Sequence, residues 1–383
     1  MKKTAPHAAI SNATITSISP ITLRANPING TSNNDSLVGT NGVDSIYGAA
    51  GNDTLLGNAG NDTLNGGTGN DSMAGGTGND VYSVDSTQDK VSELLNAGTD
   101  TVNSTVNYTL PSNVEKLAFY GSNASSLTGY GNELSNYLVF KSGFGSLYGF
   151  AGNDTLEASS SGSLLAGGAG NDTYVLLNTP ANVAEPLASE GTDTVVIDKI
   201  TAYALKTNFE NLTCADTSDH VAIGNTVNNV LTGNTGNDNL RGMEGNDTII
   251  GGVGIDTLDG GAGIDSLTGG LGTDTFRFGD ALGSSNIETI TDFTSGQDAL
   301  WLVGGVFTAI GGFPGTLFAA ADDRFYAAAG AVSGHDTTDR IIYDTSTGVL
   351  YYDADGSAAA SPAVQFATLV GHPALAATDI LTL

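Results

Sequence analysis

The sequence is poor in the residues on which small secreted domains and nucleic-acid-binding proteins rely. Its one cysteine, Cys214, excludes a disulfide within the chain, and we expect a buried, inert thiol there. Twelve Lys and Arg residues stand against 41 Asp and Glu residues, and the net charge of −29 repels nucleic-acid phosphates and anionic lipid. Aromatic residues make up only 7%, and 53 glycines are poor material for a large globular core.

Targeting and catalytic signals are also missing. Pro6, His7 and Ser11 interrupt the apolar stretch that a cleaved export signal needs, and no run of about eighteen apolar residues could cross a membrane. The motifs H-E-x-x-H and G-x-S-x-G and the Walker loop do not occur. Because only 29 residues precede the first repeat, we expect no catalytic domain and predict a protein that is not an enzyme.

Nine-residue repeats dominate what is present. They follow the pattern G-G-x-G-x-D-x-U-x, where U is a bulky apolar residue, and form three blocks at 30–83, 131–175 and 224–278. Position eight carries Leu37, Ile46, Leu55, Leu64, Met73 and Tyr82, then Leu138, Leu147, Leu156, Leu165 and Tyr174, then Leu231, Leu240, Ile249, Leu258, Leu267 and Phe276. The unbroken register within each block predicts one structural unit per repeat.

The segments between the blocks repeat each other. The sequence GTDTV occurs at 98–102 and 191–195, and NVEKL at 113–117 corresponds to NFENL at 208–212. Val, Thr and Tyr predict short β-strands in both connecting segments, 84–130 and 176–223. We assign Asp100 and Asp193 to turns or strand caps, with calcium binding as the alternative. An N-terminal segment, 1–29, and a C-terminal cap with export signal, 279–383, complete the chain.

A period of nine with one apolar residue predicts a parallel β-roll. The glycine-rich half of each repeat forms a turn, and about three residues remain for a strand. If two repeats make one coil, successive strands stack as parallel sheets and the position-eight side chains share one interior. The predicted fold class is therefore all-β: a parallel β-solenoid in three blocks joined by short β segments, with a C-terminal β-rich cap. Antiparallel hairpins would not need an aspartate in constant register.

The position-six side chains are the candidate metal ligands. Stacking brings those of alternate repeats to about 5 Å, where two bare carboxylates repel by about 3 kcal/mol at an effective dielectric near 20. Calcium takes flexible sets of oxygen ligands, whereas magnesium demands a tight octahedron and zinc prefers His or Cys. We predict several Ca²⁺ ions bound by Asp35, Asp44, Asp53, Asp62, Asp71, Asp80, Asn136, Asp154, Asp172, Asn229, Asp238, Asp247, Asp256, Asp265 and Asp274. Gly145 and Ser163 take this position on one edge of the second block, which predicts binding along its other edge only.

The nonamers resemble the RTX, or hemolysin-type, calcium-binding repeats of proteins exported by bacterial type I secretion. The segment that begins DTFRFGDALG at 274 is similar to the C-terminal segment of serralysin-type proteins, and the closing ATDILTL is similar to an uncleaved export signal. The resemblance implies calcium-loaded parallel β-rolls, a type I exporter as partner, and a secreted, extracellular or cell-surface location. In YYDADGS, Asp353 and Asp355 fit either a tight turn or the start of a calcium loop.

Two functions from different classes remain open. Three tandem rolls without a catalytic motif favour a structural protein that self-assembles into a surface layer, filament or biofilm matrix. The alternative is a calcium-dependent module that binds a polysaccharide or cell surface without catalysis, although twelve basic residues provide little direct support for it. A monomer that folds on calcium is the simplest remaining interpretation.

Overall fold

The computed structural model describes residues 27–120, 126–179, 181–184, 191–311, 315–358 and 360–382. Apart from the 3₁₀ turn Ala377–Asp379, the regular elements of these residues are strands, and none forms a helix with the length and apolarity needed to span a bilayer. The strands are β1 Ile28–Asn29, β2 Ser36–Val38, β3 Ser45–Tyr47, β4 Thr54–Ala59, β5 Thr63–Asn65, β6 Ser72–Thr77, β7 Val81–Val84, β8 Lys90–Val91, β9 Thr101–Ser104, β10 Tyr108–Thr109, β11 Lys116–Tyr120, β12 Ser126–Tyr130, β13 Tyr137–Ser142, β14 Phe144–Ala151, β15 Thr155–Ala158, β16 Leu164–Ala169, β17 Thr173–Leu177, β18 Asn182–Val183, β19 Thr194–Asp198, β20 Ala202–Ala204, β21 Asn211–Cys214, β22 Val221–Ile223, β23 Val230–Thr232, β24 Asn239–Glu244, β25 Thr248–Gly254, β26 Thr257–Ala262, β27 Ser266–Gly272, β28 Thr275–Phe278, β29 Glu288–Ile290, β30 Ala299–Leu302, β31 Thr316–Leu317, β32 Phe325–Ala328, β33 Ile341–Asp344, β34 Val349–Tyr352, β35 Val364–Leu369 and β36 Ile380–Thr382.

One side of the molecule is a continuous sheet. The odd-numbered strands from β1 to β29 pair in parallel, each with the strand one coil further along. Strands β35, β34, β33 and β32 extend this sheet to nineteen strands. The other side is divided into sheets of four, five and eight strands. The fold is thus a parallel β-solenoid, and the strands of both connecting segments lie in the same ladders as those of the blocks.

The core is built from position-eight side chains of both sides of the solenoid, which form two ladders in one buried cluster. Parallel register places Ile46 opposite Leu64, and Leu64 opposite Tyr82. The position-eight residues of all three blocks are fully buried, except that Leu37 in the first coil is only partly buried. Burial of one such side chain contributes about 1.5–3 kcal/mol. The predicted core is confirmed, and it continues through the connecting segments.

The glycine turns let neighbouring coils approach closely. Gly60 has a φ of +128°, and a Cβ on it would lie 2.6 Å from the carbonyl oxygen of Gly42 in the preceding coil. A side chain at this position would therefore push two coils apart. Gly69 and Gly78 make the same close contact in other coils of this block, so the glycine content of the repeats is a packing requirement of the stack.

Aromatic side chains close the C-terminal end of the core. Phe366 on β35 makes edge-to-face contacts with Phe278 and Phe307, with ring centroids 5.1 and 5.2 Å apart. Such contacts cover an apolar ladder that would otherwise end in water. Cys214 is a free, buried thiol, and burial and then the charges of nearby aspartates raise its pKa to about 12, so it is unreactive as expected.

Two neighbouring leucines on β4 provide a test of this core. Leu55 is fully buried, whereas Leu56 is 39% exposed on the outer face. We expect Leu55→Ala to lower the free energy of unfolding in calcium by about 2–5 kcal/mol, because it opens a cavity in the ladder. The control Leu56→Ala should change it by less than about 0.5 kcal/mol. Chemical denaturation measures the free energy of unfolding of both variants. Equal losses in the two variants would contradict the inward direction of the position-eight side chains.

Candidate metal centre

Each position-six side chain lies immediately before a strand and links two coils. The Asp44 backbone N–H donates to Asp62 Oδ1 at 2.8 Å, and the Asp62 N–H donates to Asp80 Oδ1 at 2.7 Å. On the opposite edge, the Asp35 N–H donates to Asp53 Oδ1 at 2.7 Å. These partners are separated by 18 residues, which is one coil. The aspartates therefore form two rows along the solenoid, as predicted.

The second carboxylate oxygen of these residues is the distinctive feature of the rows. Oδ1 is used by the backbone of the neighbouring coil, but Oδ2 points into the turn. It is buried and has no hydrogen-bond partner within the described residues at Asp53, Asp62, Asp71, Asp80, Asp154, Asp247, Asp256 and Asp265. A buried carboxylate oxygen without a donor costs several kcal/mol, so repetition at this scale indicates a ligand that the protein does not itself supply.

Glycine carbonyl groups share the space into which Oδ2 points. A Cβ on Gly251 would meet Asp256 Oδ2 at 2.5 Å and the carbonyl oxygen of Gly269 at 2.6 Å. Other position-one glycines have the same two kinds of oxygen neighbour, for example Gly233 with Asp238 and Gly149 with Asp154. The absent side chain thus leaves a small space lined by a carboxylate and a backbone carbonyl, which are oxygen ligands that calcium accepts.

The rows continue regularly inside the second and third blocks. The Asp154 N–H donates to Asp172 Oδ1 at 2.7 Å, and the Asp247 N–H donates to Asp265 Oδ1 at 2.8 Å. On the other edge of the third block, the Asp256 N–H donates to Asp274 Oδ1 at 2.9 Å. The second block has Gly145 and Ser163 on this other edge, and Ser163 Oγ is buried without a hydrogen-bond partner in the described part of the chain. Binding along one edge only remains the prediction for that block.

The first position-six residues of the first block have partners within the chain. Thr31 donates its N–H and hydroxyl to Asp35 Oδ2 at 2.6 and 2.9 Å. Thr40 donates in the same way to Asp44 Oδ2, at 2.5 and 2.9 Å. Threonine thus replaces the glycine that the consensus has at position two, and its hydroxyl caps the row. The metal role of Asp35 and Asp44 stays a prediction.

The second and third blocks also begin with position-six residues that have hydrogen-bond partners within the chain. The Asn132 N–H donates to Asn136 Oδ1 and the Asn225 N–H to Asn229 Oδ1, both at 2.7 Å. The Asn234 N–H donates to Asp238 Oδ2 at 2.9 Å. These side chains close turns at the beginnings of the blocks. Whether Asn136, Asn229 and Asp238 also contribute an oxygen to an ion stays a prediction.

Burial and mutual repulsion raise the pKa values of the row carboxylates. Burial, and next the charge of Asp172, raises the pKa of Asp154 to about 7. Burial and Asp265 raise that of Asp247 to about 7, and burial and Asp274 raise that of Asp256 to about 6. Hydrogen bonds from the backbone only partly offset this. The charged form therefore needs a counter-charge in the folded state.

The connecting segments contain row residues that sequence reasoning did not assign as ligands. The Asp80 N–H donates to Asp100 Oδ1 at 2.7 Å, and the Asp100 N–H donates to Glu115 at 2.8 Å. The second connecting segment repeats this, because the Asp172 N–H donates to Asp193 Oδ1 and the Asp193 N–H to Glu210, both at 2.8 Å. On the opposite edge, the Asp71 N–H donates to Asp89 Oδ1. The structure therefore places Asp100 and Asp193 within the acid rows.

A short local signal marks these additional residues. Asp100, Glu115, Asp193 and Glu210 each stand two positions before a buried aliphatic residue, as position six does before position eight. The nonamer count hid them, because Asp80 and Asp100 are 20 residues apart rather than 18. The acid and the buried residue that follows it are therefore a better signal than the nine-residue period.

The acidic pair in the C-terminal cap forms a hydrogen-bonded turn. Asp353 accepts hydrogen bonds from the Gly334 N–H at 3.0 Å and the Asp355 N–H at 3.2 Å. Asp355 Oδ2 accepts from the N–H groups of Ala360 and Ser361 at 3.0 and 2.9 Å. These contacts form a tight turn, in which Asp355 Oδ1 is buried without a hydrogen-bond partner in the described residues.

A family model for the RTX calcium-binding nonapeptide repeat, built of four copies, matches several segments of the chain. The matched residues are 29–64, 49–82, 56–89, 148–176, 223–258 and 250–280. The chain carries RTX calcium-binding repeats. No curated protein matches the chain significantly. The RTX matches fall on the three blocks of nonamers, and the match at 56–89 extends to Asp89, which the structure places in an acid row.

Calcium is thus the ion expected for this protein, and the geometry fits it. The RTX repeats present buried Oδ2 atoms without donors, next to glycine carbonyl groups. All of these are hard oxygen ligands with single negative charge or none, and such a set suits Ca²⁺ better than Mg²⁺ or Zn²⁺. When bound, the ion supplies positive charge between carboxylates of adjacent coils.

Acidity should have opposite effects with and without calcium. Because Asp154 and Asp247 have folded-state pKa values of about 7, above those of an unfolded chain, their protons stabilise the calcium-free fold below neutrality, and this stabilisation is lost as pH rises through 7. We expect the chelated protein to gain sheet content from pH 8 to pH 5, measured by circular dichroism. With calcium present, the same change should weaken ion binding. A chelated protein whose sheet content increases with pH would contradict these carboxylate environments.

One isosteric substitution separates repulsion from ligation. The Asp247→Asn amide keeps the oxygen that accepts the Asn229 N–H at 2.7 Å but removes the charge that faces Asp265. We expect more sheet content than wild type in chelator, measured by circular dichroism, and in calcium a loss of about 1–3 kcal/mol in the free energy of unfolding, the range for a charged partner that is removed. The control Glu244→Gln removes an exposed acid in the same repeat. It should have no effect on the fold in chelator or on its stability in calcium. If Asp247→Asn stabilised the fold in both conditions, or destabilised it in both, the two roles of Asp247 in repulsion and ion binding would be contradicted.

Proposed function

We propose that this is a secreted protein that folds when it binds calcium outside the cell and then self-assembles into a surface layer, filament or biofilm matrix. In this proposal the position-six carboxylates are the metal ligands, through the Oδ2 atoms that the protein leaves without donors. The protein performs no catalysis, and its rigid solenoid is itself the functional product. The observation that carries the proposal is the repeated, buried and unpartnered Oδ2 in two rows.

Calcium-dependent folding fits export as an unfolded chain. Each pair of stacked charged carboxylates opposes folding by about 3 kcal/mol at an effective dielectric near 20, and several pairs exceed the usual stability of a domain. At low calcium the rows therefore favour the unfolded chain, which an exporter can transport. At high external calcium, binding to the folded state alone shifts the equilibrium to the roll. This supports the type I exporter as the partner in secretion.

An exposed apolar strip on the third block supports self-association. Val253 and Leu271 pair across β25 and β27 and are 45% and 72% exposed, and Ile255 in the same turn is 63% exposed. The consensus position of Ile255 is occupied by Asn in many other repeats, and Val43 of the first block is an exposed aliphatic residue at this position. Contiguous exposed aliphatic side chains are typical of surfaces that meet another protein. A second copy of the chain would bury them.

The glycan-binding alternative also has an observation in its favour. The rings of Tyr130 and Tyr148 stack at 5.2 Å, and those of Tyr130 and Phe150 at 5.8 Å, on the outer face of the second block. Phe150 is 52% exposed, and Lys206 lines the same groove as Tyr148 and Phe150. Aligned aromatic faces with one cation beside them fit sugar rings that carry carboxylates. Sequence reasoning did not find this surface, because stacking across coils assembles it.

Particle size distinguishes the two functions. We expect calcium to convert wild-type protein into particles much larger than a monomer, and the triple variant Val253→Ser, Ile255→Ser, Leu271→Ser to fold in calcium yet remain small, because the strip no longer buries apolar area. Light scattering and electron microscopy measure this. The control Val43→Ser replaces an exposed aliphatic residue of the first block, 62% exposed, and should assemble normally.

Two results would contradict the structural function. A wild-type protein that stays a folded monomer in calcium at high concentration would rule out assembly. Retention on an immobilised acidic polysaccharide that is lost in Tyr148→Ala and Phe150→Ala, with no change in particle size, would establish the binding module instead.

A further inference from the structure

A glutamate outside the repeats occupies a glycine position of the stack. The Lys90 and Val91 strand pairs with Ser72 and Met73, and the Ser92 N–H donates to the Met73 carbonyl group. Glu93 is therefore one coil beyond Gly75, which is the position-one glycine of the last repeat in the first block. In every repeat that has an aspartate at position six this position is glycine, and its missing side chain leaves the space beside the aspartate. Here a carboxylate enters that space.

Three carboxylates meet at this point. One oxygen from each of Asp80, Glu93 and Asp100 lies within 4.8 Å of the others. The Tyr82 hydroxyl contacts the Glu93 carboxylate and accepts from the Gly75 N–H at 2.6 Å. Within the part of the chain that the structure describes, no Lys or Arg forms an ion pair with any of the three acids. The cluster therefore has a formal charge of −3 without a cationic side chain to balance it.

Two oxygens in the cluster need a partner. Asp80 and Asp100 are completely buried, and the Oδ2 atom of each has no hydrogen-bond partner in the described chain. Their Oδ1 atoms are already used, since the Asp80 N–H donates to Asp100 Oδ1 at 2.7 Å. Acids about 5 Å apart repel by about 3 kcal/mol per pair at an effective dielectric near 20. Burial first, and then the charges of Asp100 and Asp80, raise the pKa of Glu93 to about 7, and its hydrogen bond with Tyr82 only partly offsets this.

We propose that Asp80, Glu93 and Asp100 bind a divalent cation of the calcium class at a site that the connecting segment completes. Only Asp80 belongs to a nonapeptide repeat, so two of the three carboxylates come from outside the consensus. A third carboxylate makes this site more negative than the repeat sites, which generally raises calcium affinity. The site also joins the connecting segment to the first block, because Glu93 and Asp100 are ordered around an ion that Asp80 also holds.

The second connecting segment has a matching sequence. VSELLNAGTDTV at 91–102 corresponds to VAEPLASEGTDTV at 183–195, so Glu185 takes the place of Glu93. Residue 185 lies outside the described residues, and the inference rests on the first segment alone.

Terbium binding to the full-length chain tests the site. Tb³⁺ replaces calcium at oxygen sites and emits when a nearby tyrosine is excited, and Tyr82 contacts Glu93 directly. We expect wild type to show a component that fills first, at least tenfold tighter than the rest. Glu93→Gln should lose this tight component in both luminescence and calorimetry. Tyr82→Phe should keep the ion by calorimetry but lose its emission, and the control Glu133→Gln, an exposed acid, should match wild type.

The outcomes separate this site from the repeat sites. If Glu93→Gln is folded in calcium and binds as many ions as tightly as wild type, the inference is wrong while the repeat sites stand. If wild type binds no terbium or calcium at all, both the inference and the proposed calcium function fail. Should Glu93→Gln not fold, Glu93→Gly restores the glycine of the consensus turn. We expect this variant to fold without the tight component, and wild-type affinity in it would overturn the inference.

Discussion

Stacked carboxylates are the interaction on which the rest of the structure depends. Each row aspartate donates its own N–H to one neighbour and accepts from another through Oδ1, as Asp62 does between Asp44 and Asp80. This network aligns the coils, but at inner positions of the rows such as Asp53, Asp62 and Asp256 it leaves Oδ2 buried without a donor in the described residues. The backbone thus builds a row of negative charge that it cannot balance. Divalent cations are the physical solution, since no lysine or arginine could repeat with this spacing without filling the glycine turns.

The other features of the chain follow from this constraint. Glycine at position one leaves space beside Oδ2 and exposes carbonyl oxygens, while one buried aliphatic residue per turn provides a core only one side chain wide. Repulsion within charged rows opposes the stability that this core provides, and a cation bound to the folded state would offset it. The rows run on into the connecting segments at Asp89, Asp100 and Asp193.

The periodic features of the fold could be predicted from the sequence. Residues that come together across coils of unequal length could not. The register of Leu55, Leu64 and Asp62 follows from the nine-residue pattern, and the structure confirms the roll and its core. Asp100, Glu115 and Glu93 could not be placed by counting, because the coils of the connecting segments differ in length from the nonamer pairs. The stacked rings of Tyr130 and Tyr148 likewise become neighbours only through the parallel register. Ligand roles at capped positions such as Asp44 depend on threonine contacts that a consensus pattern does not reveal.

The calcium dependence of the folded state tests the central claim most directly. Far-ultraviolet circular dichroism and thermal melting of the full chain at neutral pH, in chelator and then across a calcium titration, report sheet content and stability together. The account predicts that the chelated chain lacks the parallel-sheet spectrum and shows no cooperative melting, and that millimolar calcium restores both. A chelated chain with an unchanged spectrum and melting temperature would show that the acid rows are tolerated without cations, and the account would be wrong.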